Sequence, residues 1–123
     1  MRAVLTVAHG GREVLEPREV PDPKPEAGEV LVRVAATAVN FHDIFTRRGM
    51  PGVKIALPLI VGSDIAGTVE ALGAGADASW LGKRVLIDPI LRGFDRVAML
   101  GETLPGGRAE RVCARQSMLI EIP

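Results

Sequence analysis

The chain has 123 residues, of which 47% are apolar and 24% charged, and its 15 basic residues are balanced by 15 acidic ones. This length and composition are typical of one globular domain that buries its own core. A formal net charge of zero and an aromatic content of 3% argue against nucleic acid and against an anionic membrane surface as partners.

Short strands separated by glycine and proline turns are predicted over the first third of the sequence. The clearest is Glu29–Val39, because Val30, Val32 and Val34 recur with the period of two that places them on one face. Three prolines within a few residues prevent regular ladder pairing just before it. In chain order the prediction is a strand at Arg2–Ala8, a turn at His9–Gly11, a loosely alternating segment at Glu13–Val20, an extended connection at Pro21–Gly28, and then this strand.

A short helix is predicted from Asn40 to Gly49. Asparagine is a favoured N-cap residue, and glycine is a favoured stop at the C-terminal end. Apolar side chains three and four residues apart share one face of a helix, and cations in the last turn suit its dipole. The residues with these spacings are Phe41, Ile44 and Phe45 on the apolar face, and Arg47 and Arg48 in the last turn.

The remainder of the chain predicts a mainly β domain. Ile65–Leu72 and Arg84–Ile87 have the composition of strands, whereas Pro89–Leu104 has no clean period. Two closing strands are predicted at Arg108–Ala114 and Met118–Ile122. Short strands, tight turns and short helices together favour a mainly β, barrel-like fold.

Two features that resemble functional sites are interpreted as structural. Gly73–Ala78 fits a loose dinucleotide-binding pattern, but the next strand begins about ten residues later, which leaves no room for a crossover helix. The segment is therefore predicted to be a turn. Cys113 lies in a predicted strand with no histidine near it in sequence, which indicates a structural thiol and not a nucleophile.

The sequence predicts a cytoplasmic location. A single cysteine excludes an internal disulfide, which favours a reducing compartment. The first residues lack the basic and apolar regions of a signal peptide, and no apolar run is long enough to span a membrane.

Four segments that cover nearly the whole chain carry a resemblance to a known family: GGREVLEPREVPDPKPEAGEVLVRV, AVNFHDIFTRRG, LPLIVGSDIAGTVEALGAGA and GGRAERVCARQSMLIEIP. In this order and spacing they resemble the N-terminal GroES-like domain of medium-chain alcohol dehydrogenases and zinc-independent quinone oxidoreductases. The resemblance implies a partly open β-barrel over residues 1–123. It also implies a cleft completed by a Rossmann cofactor domain that is absent from this chain.

The resemblance further implies a site without zinc. Zinc-dependent members place a cysteine at the position of Asn40, and a histidine and a glutamate at the positions of Ser63 and Asp64. An amide and a hydroxyl are poor zinc ligands, because catalytic zinc needs about three nitrogen, sulfur or acidic oxygen ligands. The four cysteines of the family's structural zinc lobe are also missing from the corresponding region, Leu86–Gly101. No metal is therefore expected.

By the same resemblance, the cleft is lined by the start of the helix and by the Gly-x-Asp segment, residues Gly62–Asp64. Asn40, His42 and Asp43 are the catalytic candidates, and without a Lewis acid the first two would donate hydrogen bonds or a proton to the substrate. Each has a structural alternative: Asn40 as an N-cap, His42 as a surface histidine, and Asp43 as a favourable charge in the first helical turn. Phe41 and Arg47 are assigned to the cofactor, although Arg47 also fits a solvated helix face. Ser63 and Asp64 are assigned to the substrate cleft.

The function implied is that of the substrate-side domain of an NAD(P)H-dependent oxidoreductase that reduces a carbonyl, an enone or a quinone. This chain by itself is expected to be inactive and to bind NAD(P)H weakly or not at all, because it has no glycine loop that opens a helix. The alternatives are a stand-alone GroES-like binding or assembly module, which the downstream reading frame would distinguish, and a zinc alcohol dehydrogenase domain. Self-association through the cleft side or an edge strand is a further expectation.

Overall fold

A computed structural model describes residues 1–93 and 97–123 of the chain, and it consists mainly of β-strands. In these described residues, one α-helix, α1, spans Phe41–Arg48, and three single turns of 3-10 helix lie at Arg12–Val14, Ala78–Trp80 and Gln116–Met118. The strands are β1 (Arg2–Thr6), β2 (Leu15–Glu19), β3 (Glu29–Thr37), β4 (Leu59–Ile60), β5 (Ile65–Leu72), β6 (Arg84–Ile87), β7 (Ile90–Arg92), β8 (Val97–Met99), β9 (Arg111–Arg115) and β10 (Leu119–Glu121).

The strands of the part of the chain that the structure describes form three antiparallel sheets. The largest has the order β10-β6-β5-β3-β9, a second has the order β2-β1-β4, and β7 pairs with β8. A bridge between Ala3 and Ala109 joins the second sheet to the segment that leads into β9. Within the described residues the sheets do not close completely, so the prediction of a mainly β, partly open barrel is confirmed.

The core lies against one face of the five-stranded sheet. Val30 and Val32 on β3 are fully buried, and they pack with Val69, Val85 and Val112 from the neighbouring strands. The predicted alternation on β3 is therefore confirmed. Complete burial of one valine side chain contributes about 1.5–3 kcal/mol to the stability of the fold. The layer of buried valines therefore contributes strongly to the stability of the sheet.

Most predicted strands are present, with ends that differ by a few residues. The main difference concerns Pro89–Leu104, for which no element was predicted and in which β7 and β8 form a hairpin. Its strands have three residues each, too few to show a period in the sequence. Residues 94–96 of that segment lie outside the described residues. The two-residue strand β4 was likewise not predicted.

The helix α1 forms where it is predicted, with Asn40 as N-cap and Gly49 as C-cap. Its buried side chains are those of Asp43 and Thr46, whereas Phe41 and Phe45 are 77% and 50% exposed. The apolar face of this helix is thus turned away from the core. None of the helices in residues 1–93 and 97–123 is long and apolar enough to cross a membrane.

Candidate functional site

The first turn of α1 is held by a carboxylate that folds back onto the N-cap residue. Asn40 has an extended backbone, and its N–H donates to Oδ2 of Asp43 at 3.0 Å. The N–H of Asp43 in turn donates to the carbonyl oxygen of Asn40 at 3.1 Å. Asn40 thus serves as the N-cap, which was one of its two predicted roles; its role as a hydrogen-bond donor to substrate stays a prediction.

A buried ion pair ties the helix to the segment before β9. Nη2 of Arg108 donates to Oδ2 of Asp43 at 3.0 Å, and the side chains of Asp43 and Arg108 are 1% and 18% exposed. The backbone N–H of Arg108 donates to the carbonyl oxygen of Val61 at 3.1 Å. Arg108 therefore connects the start of α1 with the Gly62–Asp64 segment. Both candidate segments are held in place by contacts with this one residue.

The backbone conformation and tight surroundings of Gly62 disfavour a side chain, since a Cβ there would lie 3.2 Å from Cγ of Arg108. Its φ is +107°, a value that side-chain-bearing residues rarely adopt, and its carbonyl oxygen accepts from the N–H of Gly107 at 2.9 Å. A Cβ on Gly101 would lie 2.7 Å from the nitrogen of Gly62. The backbone at Gly101 and Gly107 therefore approaches Gly62 closely. Of the two residues assigned to the substrate cleft, Ser63 is buried and Asp64 is exposed.

The imidazole of His42 contacts a carboxylate from a distant part of the chain. Its Nε2 lies 2.7 Å from Oε2 of Glu102, and both side chains are about three-quarters buried. Its Nδ1 is buried and has no hydrogen-bond partner in the part of the chain that the structure describes. His42 is therefore a fixed, partly buried side chain, and its role as a proton donor stays a prediction.

The two residues assigned to the cofactor leave α1 in different directions. Phe41 is exposed and stacks on Phe45, with ring centroids 6.4 Å apart, and Val39, two residues before Phe41, is also exposed. Arg47 instead donates from Nε to the carbonyl oxygen of Gly10 at 3.1 Å. Six residues apart on a helix of about 3.6 residues per turn, Phe41 and Arg47 lie on separate faces. Their assignment to a cofactor remains a prediction.

A small cavity of about 150 Å³ lies on the Arg47 side of the helix and has Asp43, Arg108 and apolar side chains in its wall. A larger groove of about 700 Å³ has none of the candidate residues in its wall. Cys113 contributes to that groove. Burial, followed by the nearby charges of Glu29 and Glu26, raises the pKa of its thiol to about 11. This raised pKa supports the interpretation of Cys113 as a structural thiol.

The donor atoms at the candidate site do not fit a zinc ion. Asn40 and Ser63 offer an amide and a hydroxyl where zinc needs imidazole, thiolate or carboxylate ligands. Across residues 1–93 and 97–123, no group of three or more histidine, cysteine, aspartate or glutamate side chains is arranged to hold a metal.

Sequence reasoning assigned no role to Glu102 and Arg108. They lie 60 and 65 residues from the helix residues they contact. Only the fold shows that the chain around Gly101 and Gly106 packs on Gly62. A contact between residues so far apart in the sequence leaves no periodic pattern in the local sequence.

Comparisons with known proteins agree on one family. The family model of the alcohol dehydrogenase GroES-like domain matches residues 26–123. A quinone oxidoreductase from Rattus norvegicus is 34% identical over the full length of this chain. The chain spans only 38% of that relative, which is little more than a third of its length.

Solved structures give the same result. The crystal structure of an NAD-dependent alcohol dehydrogenase is 37% identical with a TM-score of 0.91, over 100% of this chain and 40% of that one. A cobalt- and zinc-bound thermostable alcohol dehydrogenase from Pyrobaculum aerophilum is 27% identical with a TM-score of 0.87, over 98% of this chain and 40% of that one. Similar structures therefore include one that holds zinc.

Proposed function

The chain belongs to the alcohol dehydrogenase GroES-like domain family, and from this premise we propose that it is the substrate-side domain of an NAD(P)H-dependent reductase that works without zinc. Its substrate would be a small molecule with a reducible carbonyl, enone or quinone group. The name of the rat relative, a quinone oxidoreductase, supports the quinone class.

The observation that carries this proposal is the surface around the start of α1. Val39, Phe41 and Phe45 expose 70%, 77% and 50% of their area, next to the polar side chains of Asn40 and His42. Apolar walls with a few polar groups are typical of small-molecule sites, and exposed apolar patches mark surfaces that another component covers. This surface therefore suits a reactant that lies between this domain and a cofactor domain.

The polar residues would act on the oxygen of the reacting group. NAD(P)H supplies the hydride in this chemistry, and the substrate oxygen then gains negative charge and a proton. The amide of Asn40 is a candidate donor to that oxygen, because donors placed where charge develops lower the barrier. His42 is the candidate proton source, since imidazole exchanges protons near neutral pH.

A cofactor domain separate from these 123 residues is part of the proposal. The glycine segment Gly73–Ala78 follows β5 and leads through a single 3-10 turn into β6, so no α-helix begins there. Pyrophosphate binding in dinucleotide domains depends on such a helix N-terminus. The segment is a turn, as the sequence predicts, and the proposal places the dinucleotide on another domain.

Calorimetry and an activity assay test this assignment. We expect calorimetry to detect no micromolar affinity of this chain for NADH or NADPH. We expect the product of the complete reading frame to oxidise one of these two cofactors while it reduces a quinone, an enone or an aldehyde from a test panel. A complete product with neither dinucleotide binding nor turnover would overturn the proposal and favour a binding or assembly module.

The zinc-independent part of the proposal has its own test. Metal analysis after dialysis against a chelator should find far less than one zinc per chain, because Asn40 and Ser63 are poor ligands. Retention of stoichiometric zinc would instead assign the chain to the zinc-dependent alcohol dehydrogenases.

A further inference from the structure

The contact between His42 and Glu102 joins two rigid parts of the fold. His42 lies in the first turn of α1, and Glu102 lies in the turn formed by residues 101–104. Their side chains are 26% and 23% exposed, and the Nε2–Oε2 distance is 2.7 Å. This length is that of a charge-assisted hydrogen bond, whereas exposed surface pairs usually contribute little.

The turn that carries Glu102 has little freedom to move. Gly101 has a φ of +79°, and its N–H donates to the carbonyl oxygen of Leu104 at 2.7 Å. Leu100, which precedes it, is 1% exposed and belongs to the main core. The carboxylate of Glu102 is thus presented to His42 by a turn that is anchored in the core and packed against Gly62.

The contact determines which imidazole nitrogen carries the hydrogen. An ionised carboxylate offers only acceptor oxygens, so the hydrogen in this bond belongs to Nε2 of His42. The contact thus fixes both the tautomer and the orientation of the ring. Nδ1 is buried and has no partner among the described residues, so Glu102 is the partner that holds the ring.

We propose that Glu102 is a positioning residue, which holds His42 by Nε2 so that the ring keeps one orientation and one tautomer at the start of α1. The proposal rests on the proposed function, in which His42 is the proton source for the reduced substrate. Glu102 would act only through His42, by fixing the ring in the way that carboxylates orient catalytic and metal-bound histidines.

Nuclear magnetic resonance of the ¹⁵N-labelled chain tests the contact directly. The chain has two histidines, so His9 serves as an internal reference for His42. We expect a downfield Nε2 proton of His42 that exchanges slowly with water. This signal should disappear in Glu102→Ala and move upfield in Glu102→Gln, which retains the shape but not the charge. The matched control is Glu121→Ala, since Glu121 pairs with Lys83 at the exposed surface. An unchanged signal in Glu102→Ala would overturn the proposal.

Kinetics of the complete reductase then separate a positioning role from a purely structural one. In Glu102→Gln we expect kcat to fall about tenfold with KM within about twofold of the parent, because proton delivery affects turnover more than binding. Glu102→Asp, which keeps the carboxylate, should recover part of the loss. A parental kcat in a variant that has lost the ring-proton signal would refute the positioning role. A parent without turnover would refute only the proposed function, and the resonance experiment would still decide whether Glu102 holds His42.

Discussion

At the scale of single residues, the charge of Asp43 is the most constrained feature of the site. Its side chain is 1% exposed, and Oδ2 accepts both from Arg108 and from the N–H of Asn40. A buried carboxylate is stable only with such partners, since an unpaired charge in the interior is costly. Asp43 therefore holds the start of α1 together with Arg108, and its catalytic role stays a prediction.

Replacement of Arg108 should destabilise the domain. Arg108→Met leaves Asp43 buried without its cation, and we expect a loss of about 3 kcal/mol in the free energy of unfolding. Asp43→Asn combined with Arg108→Met should cost less than the sum of the single changes, because the unpaired charge is gone. Urea denaturation measures these differences. Arg2→Met, which breaks an exposed pair with Glu110, is the control and should cost less than about 1 kcal/mol; an equal loss in the two variants would contradict the argument.

The raised pKa of Cys113 predicts both its reactivity and a pH effect. A thiol with a pKa of about 11 instead of 9.0 has about a hundredfold less thiolate at pH 8, so alkylation should be correspondingly slower than in the urea-unfolded chain. The folded state also holds this proton more tightly than the unfolded chain. Its contribution to stability is present below pH 9 and is lost as pH rises toward 11. Equal alkylation rates in folded and unfolded protein would show that the thiol is not protected.

At the scale of elements, α1 shows that a correct helix prediction does not give the helix its orientation. The spacing of Phe41, Ile44 and Phe45 indicated one apolar face, but the fold buries Asp43 and Thr46 and exposes the two phenylalanines. The ion pair with Arg108 accounts for the burial of Asp43. Thus the helix turns its aromatic face to the surface that the proposed function assigns to the cleft.

The exposed face of α1 should therefore contribute little to stability. We expect the double variant Phe41→Ser, Phe45→Ser to change the free energy of unfolding by no more than about 0.5 kcal/mol, as surface substitutions do. The contrast is Leu100→Ala, which removes a fully buried side chain and should cost about 3 kcal/mol. Thermal or urea unfolding gives both values. A large loss in the serine variant would mean that the phenylalanines pack in the folded domain.

At the scale of the whole molecule, the exposed apolar surface predicts self-association of the isolated chain. Phe41 and Phe45 stack on each other at the surface, and Val39 is also exposed; unpaired apolar surface of this kind tends to find partners. We expect sedimentation to detect concentration-dependent association that decreases in the Phe41→Ser, Phe45→Ser variant. A control variant at the exposed Leu86, on the five-stranded sheet, would show whether that surface contributes instead. A parent chain that stays monomeric at high concentration would contradict this prediction.

The sequence by itself determined most of the longer strands, the position of the helix and its two end residues. These follow from local chemistry: side chains alternate on a strand, and asparagine and glycine favour helix ends. The family resemblance identified the fold, which the comparisons confirmed.

Only the tertiary structure decided which face of α1 is buried, that Arg108 pairs with Asp43, and that Glu102 reaches His42. These contacts join residues 60 or more positions apart, with several strands between them in the sequence. The sequence around a charged residue does not indicate which distant residue will pair with it. The partner becomes fixed only when the sheets pack and bring the 101–108 segment against the start of the helix.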